Sequence, residues 1–180
     1  DDIIVADVIQ NDNQPLTSST VYIDDNGITI RAKESAEIGD EVLVNGEEFL
    51  IVDEQMLRDM VNNGDDLFKV ITTKVFNMGD LFKGKAINGN ISGWDVSNVK
   101  GMDEMFMEAA SFNQDIGDWN VSNVGSMQRM FEGATAFNQD IGDWDVKNVE
   151  DIYYMFRGAT AFNQDIGGWD TSSVTNMQRL

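Results

Sequence analysis

Carboxylates, hydroxyls and amides are the side chains of this chain that could do chemistry, because its 180 residues include no cysteine and no histidine. That composition removes disulfides, thiol nucleophiles, Ser-His-Asp triads, zinc fingers and haem ligation. The acidic groups are placed with regularity. Asp115, Asp140 and Asp165 recur at steps of 25 residues, Asp118 and Asp143 at the same step, and Asp95, Asp145 and Asp170 share a register position that Asn120 fills in the unit between. A fourth series runs Thr73, Ser97, Ser122, Lys147, Ser172. Stacked columns of carboxylates are oxygen ligands of the kind a hard cation selects, so calcium is a candidate, with Asp95, Asp145 and Asp170 as its ligands. The other reading makes each Asp a solvated or turn-closing side chain. Asn120 interrupts the column and Lys147 stands two residues from Asp145, which relieves like-charge repulsion without a metal.

Paired carboxylates also hydrolyse glycosides, but a catalytic pair sits in one asymmetric pocket. These acids are repeated unit after unit, so the sequence predicts no enzyme. Twelve basic against 32 acidic residues give a net charge of -20, which repels phosphate backbones and anionic headgroups. Nucleic-acid binding is not expected. Apolar runs such as Ile3 to Ala6 and Phe49 to Val52 fall far short of the roughly 18 residues that span a bilayer, so no membrane insertion is expected.

The elements that must position these acids follow from the repeat itself. Phe112-Asn113-Gln114-Asp115-Ile116-Gly117 returns at Phe137 and at Phe162, and Trp94, Trp119, Trp144 and Trp169 keep the same step. Within a unit, Ile116, Trp119, Val121 and Val124 show strand-like alternation at their centre, and Met127, Met130, Phe131 and Ala134 follow at i, i+3, i+4 and i+7. The pattern predicts a strand, a turn, a short helix and a return loop. Asn98, Asn123 and Asn148 are the expected N-caps, and Gly133 and Gly158 the expected C-terminal stops. The predicted strands are 67–75, 91–99, 116–124, 141–149 and 166–174, with the four tryptophans buried in a row. One unit offers too few apolar side chains to offset its own ordering entropy. The expected fold class is therefore α/β: a leucine-rich-repeat-like solenoid over residues 67–180, with a parallel β-sheet on one face and short helices on the other.

Before the repeats, Val21-Tyr22-Ile23 and Ile28-Thr29-Ile30 flank Asp24-Asp25-Asn26-Gly27, and Val42-Leu43-Val44 and Phe49-Leu50-Ile51 flank Asn45-Gly46, two hairpin signatures. Asp53 is placed to cap a helix running to about Asn62. Residues 17–66 are expected to form an N-terminal cap of hairpins and helix, and residues 1–16 a linker or an added edge strand. The chain begins at Asp1, and Met177-Gln178-Arg179-Leu180 parallels Met127-Gln128-Arg129-Met130, so a processed or excised piece is expected, with more repeats or a C-terminal cap to follow.

The run Phe137-Asn138-Gln139-Asp140-Ile141-Gly142-Asp143-Trp144-Asp145-Val146, followed by Met155-Phe156-Arg157-Gly158-Ala159, resembles the repeat of BspA-like leucine-rich-repeat surface proteins of bacteria, found also in mycoplasma lipoproteins. The resemblance covers residues 67–180. It implies secretion or display at the bacterial cell surface and, for some members, adhesion to host proteins or other cells. It supplies no catalytic residue. The chain departs from ordinary leucine-rich repeats in carrying Trp at the second apolar strand position and Val in place of the usual Asn, which leaves Asn113, Asn138 and Asn163 as candidates for the buried amide ladder.

The functional expectation is a non-enzymatic adhesion module. Its outward face, lined by Asp118, Asn120, Ser122, Asp143, Asp145 and Lys147, would meet a host or neighbouring-cell protein or glycan. The alternative is a structural spacer or stalk that holds another domain away from the cell, with calcium as its candidate stabiliser.

Overall fold

The computed structural model describes residues 20–87 and 89–178. The proposed linker at 1–16, the first residues of the proposed cap, and Arg179 and Leu180 lie outside them.

All regular strands and the one α-helix among the described residues fall before residue 72. Val21–Ile23 (β1) and Ile30–Ala32 (β2) pair antiparallel, with Ile23 opposite Ile30. The second strand starts two residues later than its apolar triplet suggests, because Asn26 organises the connection. Its Oδ1 accepts the backbone N–H groups of Ile28 and Thr29, each at 3.0 Å, a local bond that competes with the ladder. Glu41–Val44 (β3) and Glu47–Ile51 (β4) make the second hairpin. Asn45 and Gly46 both take positive φ, 54° and 81°, as a two-residue type I′ turn requires. β4 then pairs parallel with the short Val70–Ile71 (β5), giving the order β3-β4-β5. Between them Glu54–Asn63 (α1) is capped by the Asp53 carboxylate, which accepts the Met56 N–H at 2.8 Å, and is closed by left-handed Gly64.

From residue 72 onward the expected α/β solenoid is overturned. The segments 91–99, 116–124, 141–149 and 166–174 hold turns and no strand, and of 67–75 only Val70–Ile71 is extended and paired. Among the described residues no parallel sheet spans the repeats. Successive units meet at single parallel bridges, Asn77↔Gly101, Gly101↔Ser126, Ser126↔Asp151 and Asp151↔Asn176. The reason lies in where the N–H groups go. Trp119 donates to the Ile116 carbonyl at 3.1 Å and Val124 to that of Val121 at 2.9 Å. Gly117 and Ser122 donate to the side chains of Asp115 and Asn120. Turns and side-chain caps use up the donors that a sheet ladder needs.

The expected helices are absent for a related reason. Met127, Met130, Phe131 and Ala134 do face one way, but along a chain of overlapping turns in which Arg129 has φ 54° and Gly133 φ 72°. Alternate N–H groups leave the unit altogether. Met127, Arg129, Phe131 and Gly133 donate to the carbonyls of Asp151, Tyr153, Met155 and Arg157 in the next unit, at 2.8 to 2.9 Å. The preceding unit gives Met102, Glu104, Phe106 and Glu108 the same arrangement. Nor do Asn98, Asn123 and Asn148 cap helices. Their side-chain amides donate to the carbonyls of Thr73, Ser97 and Ser122, one unit earlier.

The apolar side chains of the repeat nevertheless fill one continuous core. Phe82, Phe106, Phe131 and Phe156 stack in one column at centroid steps of 5.5 to 5.7 Å, and Phe112, Phe137 and Phe162 in a second at 5.6 to 5.7 Å. Such offset pairs contribute about 0.5–1.5 kcal/mol each beyond their buried area. Trp94, Trp119 and Trp144 are buried and Trp169 half-buried. Val52 and Leu57, at the foot and on the face of α1, join the same core. A second cluster, Val21, Ala32, Val42, Val44, Ile51 and Ile71 among it, lies between the hairpins.

Candidate functional site

The return loop places the first Asp series. Asp115, Asp140 and Asp165 each accept the N–H of the glycine two residues on, Gly117, Gly142 and Gly167, at 2.9 to 3.1 Å. These are Asx-turns, the structural role expected of the series. Glycine is needed there because a Cβ on Gly117 would lie 2.7 Å from the Asp140 carbonyl oxygen, and one on Gly142 2.6 Å from that of Asp165. The Asx-turns at Asp115 and Asp140 thus sit directly against the following unit. Asn138 and Asn163 donate their N–H to the side-chain oxygens of Asn113 and Asn138, both at 2.8 Å, and Gln139 and Gln164 add side-chain bonds to the same asparagines. This amide ladder runs at the surface, with Asn113 and Asn163 exposed.

The expected metal column divides. Asp95 is only 2% exposed. Its Oδ1 accepts the Ser97 hydroxyl at 2.6 Å and lies 3.7 Å from Nε of Arg31 on β2, while its Oδ2 is buried without a hydrogen-bond partner. Burial alone would lower the Arg31 pKa, but Asp95, with Tyr22 and Asp24, outweighs it and raises the group. Asp145 and Asp170 are exposed. Asp145 binds the Lys147 ammonium at 2.6 Å, which holds its carboxyl below the usual range. Asp170 accepts the Ser172 N–H at 3.0 Å, and hydrogen bonding from Ser172 lowers it likewise. Asn120 plays the same part toward Ser122, whose hydroxyl it accepts at 2.7 Å. Among the described residues no three acidic side chains converge on a point where a metal ion could sit.

Of the expected binding residues, Asp118, Asn120, Asp143, Asp145 and Lys147 are exposed and Ser122 half-buried. They lie on turns, not on a sheet face. Asp118 and Asp143 line a cleft of about 230 Å³ together with Asp115, Gly117 and Asp140. This cleft opens through Asp115 and Asp118 into a second, of about 610 Å³, that Ile28, Asn90, Ser92 and Gln114 help to line. Beyond Ile28, Asn90 and Ser92 a third cleft of about 230 Å³ has an apolar floor of Ile30, Phe49, Phe68, Val70 and Trp94. The loop between β1 and β2 makes this end, since the Ile28 carbonyl oxygen would stand 3.3 Å from a Cβ on Gly93. The sequence reading missed Ile28 and Phe68, which are 48% and 50% exposed. For Phe68 the available signal was its place outside the inward register of Leu67, Val70, Thr72 and Val75; Ile28, in the first hairpin, carried none.

A family model described as "Mycoplasma protein of unknown function, DUF285" matches residues 54–152 and again 121–180. The chain belongs to the DUF285 family. The two matches overlap over 121–152, as expected where one repeat model fits the same units in two frames, and together they take in α1 and every repeat. No curated protein and no solved structure matches the chain. The coarser part of the resemblance to BspA-like surface proteins stands, as membership of a related repeat family, whereas the leucine-rich-repeat architecture does not. No helix among the described residues is long and apolar enough to cross a membrane.

Proposed function

We propose that this DUF285 chain is a non-enzymatic binding module, displayed outside the cell or at a bacterial cell surface, that recognises a protein or glycan partner through the polar face of its repeats. The observation that carries the reading is the state of Asp118 and Asp143. Both are exposed, and neither forms a hydrogen bond or ion pair with a described residue, whereas Asp115, Asp140, Asp145 and Asp170 are all engaged in turns or pairs. Carboxylates that the fold does not use, repeated in register along an extended face, suit recognition by many weak contacts. The recurrence of Asp115, Asp140 and Asp165 in equivalent turns argues against an enzyme, since a catalytic pair occupies one asymmetric pocket. The resemblance to BspA-like surface proteins supports the location and the adhesive role.

A structural spacer is the second reading. It is favoured by the unbroken hydrogen bonding from unit to unit, which makes the array suited to holding two ends apart. A screen of the folded chain against glycans and extracellular-matrix proteins separates the two. Binding that depends on Asp118 and Asp143 supports the module, and absence of binding by the folded chain supports the spacer.

A further inference from the structure

The three clefts form one groove. The middle cleft shares Ile28, Asn90 and Ser92 with the apolar end and Asp115 and Asp118 with the acidic end. The two ends differ sharply in chemistry. At one, Phe68 and Ile28 leave about half their surface in water over a floor that includes Trp94. Large side chains left half open around a concave floor gain from being covered. At the other, Asp115, Asp118, Asp140 and Asp143 crowd one small cleft. Among the described residues no lysine or arginine lines any part of the groove.

We propose that this groove seats an extended cationic segment of a partner protein, with one apolar side chain covering Phe68 and Ile28 and lysine or arginine side chains reaching Asp118 and Asp143. The proposal rests on the reading of the chain as a binding module and names the partner's chemistry. Size and charge select this occupant. The apolar cleft, at about 230 Å³, has room for a single side chain, whereas the middle cleft, at about 610 Å³, has the volume of a small-molecule site but walls that are polar apart from Ile28 and Gly89, unlike the mostly apolar lining of such sites. Four carboxylates carry a charge that a cationic segment neutralises and an uncharged glycan does not, and they repel nucleic acid and anionic lipid. A metal ion needs converging ligands, and none converge here. Flexible ammonium and guanidinium groups can reach separated carboxylates one at a time.

The test is fluorescence anisotropy with the full chain and a labelled octapeptide bearing one leucine followed by three lysines at alternate positions. Two control peptides replace the leucine by serine or the lysines by glutamine. Binding is expected for the first peptide, weaker by about tenfold for each control, and weaker by about tenfold between low and moderate salt. Phe68→Ser and the double variant Asp118→Asn, Asp143→Asn are each expected to weaken it, by about tenfold and by about two- to fivefold per aspartate. Both change half-exposed or exposed side chains, and unchanged thermal midpoints certify the fold. Three results overturn the proposal. One is equal binding of the leucine and serine peptides with no effect of Phe68→Ser, which reduces the groove to general attraction by a polyanion. Another is self-association of the chain that Phe68→Ser abolishes, with no peptide bound, which makes a second copy the occupant. The third is absence of peptide binding while the screen for matrix proteins or glycans is positive, which rejects this partner and leaves the binding module intact.

Discussion

The indole Nε1 of Trp144 donates to the backbone carbonyl of Ile116, 3.1 Å away and one unit earlier in the chain. Trp94, Trp119 and Trp169 do the same to Leu67, Ile91 and Ile141 at 3.1 to 3.2 Å. The tryptophan row is therefore both core and fastener, and the two roles are separable. Trp144→Phe keeps most of the apolar volume but leaves the Ile116 carbonyl with the Trp119 N–H as its remaining donor, at an expected cost of about 0.5–1.5 kcal/mol. Trp144→Ala adds a cavity, for about 3–5 kcal/mol in all. Denaturant unfolding that finds the Phe variant as stable as the parent would remove the fastening role.

Glycine at 142 is set by the next unit, not by turn conformation. A Cβ there would meet the Asp165 carbonyl oxygen at 2.6 Å, whereas one at Gly168 would meet nothing within 4 Å. Gly142→Ala is expected to cost about 1–3 kcal/mol and Gly168→Ala close to nothing. Equal thermal midpoints for the two variants would contradict the close contact of units at the return loop.

How much of this could be read from the sequence differs by element. The Asn45-Gly46 hairpin and the helix between Asp53 and Gly64 were legible because their end signals are local and act through side chains or φ alone. The inward set was legible too. Ile116, Trp119, Val121, Val124, Met127, Met130, Phe131 and Ala134 are all buried. What the pattern does not encode is the path of the backbone that presents them. A stripe at i, i+3, i+4 and i+7 fits a helix, and it equally fits chained turns in which every second N–H is given to a neighbouring unit. Glu104, Arg129 and Tyr154, all at positive φ, carry no residue signal of that conformation. For the candidate site, the Asx-turn role of Asp115, Asp140 and Asp165 was visible. The groove was not, since it depends on where the β1–β2 loop comes to rest against Gly93.

Acid should weaken one identifiable link between units. The Lys83 ammonium, hydrogen-bonded to Glu104 across 21 positions of chain, holds that carboxyl below its ordinary value of 4.5 and is itself raised above 10.5. A carboxyl lowered in the folded state contributes stability that is fully present above its unfolded value and is lost as pH falls through its folded one. The raised Lys83 contributes below its unfolded value and loses that contribution as pH rises through its folded one. Glu104→Gln is therefore expected to flatten the fall in thermal midpoint below about pH 4.5. An acid limb identical to the parent's would show that the pair contributes nothing.

Calcium offers a check on the Asp columns. With Asp145 held by Lys147, Asp170 by Ser172 and Asp95 buried beside Arg31, millimolar calcium and sodium chloride matched for ionic strength are expected to give the same thermal midpoint after chelator treatment, since both act by screening. A calcium-specific rise, lost in Asp145→Asn, would instead place a coordinated ion on this column.

The central claim, that Asp118 and Asp143 belong to a recognition face and not to the scaffold, is tested most directly by comparing the parent chain with the double variant Asp118→Asn, Asp143→Asn in the same glycan and matrix-protein screen, with thermal unfolding run in parallel. The account predicts unchanged midpoints, binding of at least one protein or glycan by the parent that weakens with salt, and a clear loss of that binding in the variant. Binding that survives the substitutions undiminished, or a variant whose stability falls while the parent binds nothing, would contradict it.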